Sequence, residues 1–69
     1  MKIYTQDRQK IVEMPRELWI TQYGDKWGII GTLYINPLLG IYDTEEIAQR
    51  IFGDIFTAYK RGDKTYTMI

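Results

Sequence analysis

Residues 43–62, DTEEIAQRIFGDIFTAYKRG, repeat apolar positions with the period of an α-helix. Ile47, Ala48, Ile51, Phe52, Ile55, Phe56 and Tyr59 fall on one broad stripe. Asp43 reads as the N-cap, Glu46 three residues later as its capping-box partner, and Gly62 as the stop. A helix this apolar on one side is stable only when another layer covers it, so the remaining residues have to supply that layer.

They read as strands. Segments 2–6 and 10–14 are short β-prone runs separated by Asp7-Arg8-Gln9, a hairpin pattern. Pro15 lacks an amide donor and separates them from a third strand, 17–23. Gly24-Asp25-Lys26 forms a turn into a fourth strand, 27–35, which Asn36-Pro37 closes. A fifth strand, 38–42, runs into the helix cap, and 64–68 alternates as a last strand. The expectation is one α+β domain over 1–69, ordered β-β-β-β-β-α-β: an antiparallel meander of about five strands, the helix on one face, and a short C-terminal strand.

With 69 residues, the core is small and a single layer leaves little stability in reserve. Cysteine and histidine are both absent. That removes disulfides, thiolate metal sites, the commonest metal ligand and the commonest general base. Self-association is the remaining way to add stability. Nine Lys and Arg balance nine Asp and Glu, so no overall field draws the chain to nucleic acid or anionic lipid. No apolar run approaches the roughly 18–20 residues that span a bilayer. The start, MKIYTQDRQK, has no signal-peptide core. A cytoplasmic protein without membrane segment or cofactor is expected.

Possible chemical groupings are few. Glu45, Glu46 and Asp54 are helix carboxylates, which the helix dipole and a solvated face account for. Nucleophilic catalysis lacks Ser, Cys and any His base, so an enzyme is not expected. Gly28, Gly31 and Gly40 lie in strands and open no phosphate loop; they mark bulges or close approach by a bulky side chain. Lys60, Arg61 and Lys64 cluster at the helix C-terminus, where cations complement the dipole. With Arg16 and Lys26 around exposed aromatics they form the candidate nucleic-acid set.

The two middle strands depart from a clean inside–outside alternation. Leu18 and Ile20 oppose Trp19 and Tyr23, while Trp27 and Ile29 oppose Ile30 and Tyr34, so both faces are apolar. One helix about 10 Å wide covers about two strands at about 4.8 Å spacing, which leaves apolar surface over. Trp19, Tyr23, Trp27, Ile30 and Tyr34 are therefore the candidate protein interface, since aromatics are enriched at such surfaces.

The segment Leu39-Gly40-Ile41-Tyr42-Asp43-Thr44-Glu45-Glu46, with Ala48, Ile51, Ile55, Ala58, Gly62, Tyr66 and Met68 after it, resembles a family of small uncharacterised proteins of Gram-positive bacteria and their phages or mobile elements. That family shares a pattern like LGxYxxEExA, an apolar helix and GxxxYxM, and a hairpin turn similar to Gln6-Asp7. The resemblance covers the ends of the chain and leaves 15–35 unmatched. It implies an intracellular, non-enzymatic accessory protein and carries over no functional residue. The leading expectation is a protein–protein interaction module able to form a homodimer. The alternative is a nucleic-acid-binding accessory protein of a phage or mobile element.

Overall fold

The computed structural model of the chain describes residues 1–32 and 37–69. The elements are β1 (Lys2–Tyr4), β2 (Ile11–Glu13), β3 (Leu18–Tyr23), β4 (Lys26–Gly31), β5 (Leu38–Tyr42), α1 (Glu45–Arg61) and β6 (Thr65–Thr67). This is the expected α+β order. Hydrogen bonding divides the strands between two three-stranded sheets, β2-β1-β6 and β3-β4-β5. The far part of the expected strand 27–35, and Tyr34 with it, lies outside the described residues.

The first sheet is built on the 5–10 hairpin. Asp7 Oδ1 accepts from the Thr5 hydroxyl at 2.8 Å and from the Gln9 amide at 2.9 Å, and Arg8 takes a left-handed φ of 63°. These local bonds compete with strand pairing and end the ladder at Tyr4↔Ile11. The last strand returns to the other edge of β1 and pairs with it in parallel, Ile3 facing Tyr66. Ile3, Val12 and Tyr66 thus form one inward row, and Lys2, Tyr4, Glu13 and Thr67 point outward and are exposed.

Two residues set how the sheets adjoin. Pro15 is buried between β2 and β3, and its ring lies against Gly31, where any Cβ would come within 2.5 Å of Pro15 Cγ. Gln6 joins the end of β1 to β5. Its amide donates to the Leu39 carbonyl at 2.9 Å, its Oε1 accepts from the Ile41 amide at 2.6 Å, and its Nε2 donates to the Ile69 carbonyl at 3.2 Å. A bulge opposite Ile29 and Ile30 makes this junction possible: Ile29 faces Gly40, Ile30 faces Leu38, and Leu39 is the extra residue. Its side chain is buried in the core while its carbonyl serves Gln6.

The helix differs from expectation at its start. Thr44, not Asp43, is the N-cap: its Oγ1 accepts from the Ile47 amide at 3.2 Å, and its φ and ψ are −131° and 156°. The strand register explains the shift. Trp27 pairs with Tyr42, so Lys26 stands across from Asp43, and its Nζ reaches Asp43 Oδ1 at 2.6 Å. Glu46 makes no capping-box bond among the described residues. Gly62 ends the helix as expected, with φ 82°; its amide bonds Tyr59 O and the Asp63 amide bonds Ala58 O, the Schellman pattern.

Ala48, Ile51, Ile55 and Ala58 are the buried residues of α1. Ala48, Ile51 and Ile55 share one buried cluster with Ile3 and Met68 of the first layer and Ile29, Leu39 and Tyr42 of the second. Small residues at both ends of this row and isoleucines at its centre let the helix lie close over β3, β4 and β5. Replacing Gln6 by Ala leaves the Ile41 amide without its acceptor, and a loss of about 1–3 kcal/mol is expected in urea unfolding. An unchanged midpoint and slope would show that the sheets are held together without it.

Candidate interaction surface

The buried row decides what the rest of the helix presents. Successive residues are rotated by about 100°, so Phe56 points well away from Ile55. Phe56 and Tyr59, expected in the covered stripe, are each 57% exposed, and Phe52 is half-buried. The expected stripe was too wide for the sheet beneath it. Its outer third forms one wall of a groove of about 510 Å³, with Phe52, Phe56 and Tyr59 on the helix side. Met14, Pro15 and Leu18 form the other wall, and Arg16 lines the same groove. Lys60 Nζ sits 5.2 Å from the centre of the Phe56 ring, a cation–π contact at the rim.

The four interface candidates among the described residues do not form one surface. Trp19, Tyr23 and Ile30 share the face of β3-β4-β5 directed away from the helix, since Trp19 pairs with Ile30 and Tyr23 with Lys26. Trp19 is 38% and Tyr23 42% exposed, whereas Ile30 is largely buried. The Tyr23 ring rests on Gly28, where a Cβ would fall 2.9 Å from its Cδ2. Trp27 has the opposite parity and packs half-buried against the core. The two tryptophans therefore serve different layers.

The basic candidates separate as well. Lys26 lies at the helix N-terminal end, bonded to Asp43, which raises the Lys26 pKa and lowers that of Asp43. Arg61 is paired with Asp63; the bond raises the Arg61 pKa and lowers that of Asp63. Arg16 lines the groove, Lys60 stands beside the Phe56 ring, and Lys64 is exposed just before β6. The helix acids Glu45, Glu46 and Asp54 are exposed, and among the described residues no group of three acids is placed to hold a metal ion.

Tyr42 and Tyr66, named from sequence only as pattern residues, were given no role there. The hydroxyls of Tyr42 and Tyr66 are buried without a hydrogen-bond partner among the described residues. Burial, and then the neighbouring Tyr66, pushes the Tyr42 phenol from 10.0 up to about 12. Burial and then Asp54 raise Tyr66 too. Tyr42 folds back over Gly40, whose Cβ would lie 2.7 Å from the hydroxyl, so Gly40 makes room for the ring. The available signal was the spacing of Gly40 and Tyr42, two residues apart on one face of a strand.

No family model, no curated protein and no solved structure matches the chain.

Two measurements test this description. The folded state holds the Tyr42 proton more tightly than the unfolded chain, so its contribution is complete below pH 10.0 and is lost as pH rises towards about 12. Tyr42→Phe removes a hydroxyl without a partner, so stability at neutral pH is expected to stay level or rise, with a weaker alkaline loss in pH-dependent denaturation. A large neutral-pH loss would mean that the hydroxyl is bonded. Gly53 is exposed in mid-helix, and none of the described residues lies within 4 Å of where its Cβ would be. Gly53→Ala is expected to add about 1 kcal/mol to the monomer in chemical denaturation at high dilution, and a loss would show a hidden contact there.

Proposed function

We propose that this chain is a protein–protein interaction module of the cytoplasm that carries out no chemistry of its own. The observation that carries the reading is the pair of exposed aromatics, Phe56 and Tyr59, beside a groove walled by Met14, Pro15 and Leu18. Adjacent apolar groups left in water at one place mark a surface that another molecule covers. Aromatics at the centre with cations at the rim, here Arg16 and Lys60, match the anatomy of protein interfaces. The residue types of catalysis favour the same reading, since the chain has no His, Cys or Ser. So does the dispersal of the basic residues: Lys26 and Arg61 are paired with Asp43 and Asp63 rather than gathered on one face. The likeness to accessory proteins of phages and mobile elements belongs to the same proposal.

The test is site-specific photocrosslinking in cells that express the chain. Tyr59→p-benzoylphenylalanine is expected to give a discrete protein adduct, and the same group at exposed Arg50, on the opposite side of α1, to give none. No discrete adduct from position 59, or one that nuclease removes, would overturn the reading, the second outcome in favour of nucleic acid.

A further inference from the structure

We infer that the partner seated on the outward face of α1 is a second copy of this chain, its own α1 lying antiparallel across the first. The inference rests on the interaction reading above and names its occupant. Outside the buried row, Glu45, Gln49, Phe52, Phe56 and Tyr59 follow one another at alternating spacings of four and three, the pattern of a helix–helix seam. Phe56 and Tyr59 of this seam are uncovered, and Phe52 is covered only in part.

Three observations select a second copy. The first is charge. α1 has Glu45 and Glu46 in its first turn and Lys60 and Arg61 in its last. A two-fold axis beside Phe52 and Gly53 sets Glu45 of each copy near Lys60 of the other, and Gln49 against Phe56. A parallel arrangement would set acid on acid and base on base.

The second is Gly53. Glycine weakens a helix interior, and among the described residues none approaches the position where its Cβ would be. The monomer gives Gly53 no packing role. About the same axis, Phe52 of each copy lies over Gly53 of the other, and the missing side chain admits the ring. An isologous contact requires this kind of pairing, each residue meeting its complement twice.

The third is the balance of nine basic and nine acidic residues, which leaves no net repulsion between copies. A chain of 69 residues without cysteine also gains most from covering its last apolar surface in this way.

Sedimentation equilibrium over a concentration series, with the full chain and charge-altered variants, tests the assignment. The native chain is expected to form a dimer dissociating in the micromolar range. Gly53→Gln, on an open helix face that leaves the monomer folded, is expected to weaken the dimer at least tenfold. Glu45→Lys alone sets like charges together at both symmetric contacts and is expected to weaken it several-fold. Adding Lys60→Glu to Glu45→Lys restores the opposite-charge pairing and recovers most of the loss. Circular dichroism confirms that each variant is folded. A monomer at every concentration overturns the inference. So does a dimer that ignores both substitutions, since the copies would then pair elsewhere, for example through Trp19 and Tyr23. A monomer whose position 59 still crosslinks to a different protein removes the second copy and leaves the interaction reading in place. Absence of any adduct removes both.

Discussion

Ile51 and Ile55 pack at the place where two small sheets meet, and the rest of the molecule is arranged around that contact. Neither sheet has more than three strands among the described residues, and a sheet that small needs one face covered to persist. The helix lies over β3, β4 and β5, and its isoleucines share one core with residues of both sheets. Ile51 and Ile55 share that buried cluster with Ile3 and Met68 of the first layer and Ile29 and Leu39 of the second. Burying each such side chain fully is worth about 2 kcal/mol, which exceeds any single cap or surface ion pair in the chain. The helix therefore rotates to bury its isoleucines, and other preferences adjust.

The adjustments explain the departures from local rules. Once Ile51 and Ile55 face inward, Phe56 and Tyr59 have to face outward, although their hydrophobicity alone would place them in the core. The β4–β5 register sets Asp43 across from Lys26, so the N-cap role passes to Thr44 one residue later. Leu39 enters the core through a bulge that also aims its carbonyl at Gln6. Tyr42 and Tyr66 pack their rings against the core at the cost of two hydroxyls without partners among the described residues, a sign that ring burial outweighed polar satisfaction there.

Much of this was legible in the residue order. The helix from 45 to 61 announced itself through the recurrence of Ile47, Ile51 and Ile55, and its end through Gly62, because both signals act within a turn or two of chain. The 5–10 turn was readable for the same reason, since Asp7 bonds its own neighbours. The opposite parity of Trp19 and Tyr23 to Leu18 and Ile20 followed from strand geometry alone. The candidate surface was harder to see. A seven-residue apolar stripe does not say which of its edges the sheet will cover, and that depends on how many strands lie beneath. Trp27 was grouped with Trp19 by residue type although strand parity sends them to opposite faces.

By itself the sequence determined the α+β class, the order of the strands and the helix, the limits of the helix within a residue or so, and the absence of His, Cys and Ser. These follow from periodicity, turn-forming residues and composition, which act locally or not at all. Only the tertiary structure decided that the strands divide into two sheets and that β6 pairs in parallel with β1. It likewise decided that Gln6 joins the layers and that Phe56, Tyr59 and the groove beside them stay in water. Each of those outcomes depends on residues tens of positions apart competing for the same buried space, and the winner is set by the total area covered rather than by any neighbour in the chain.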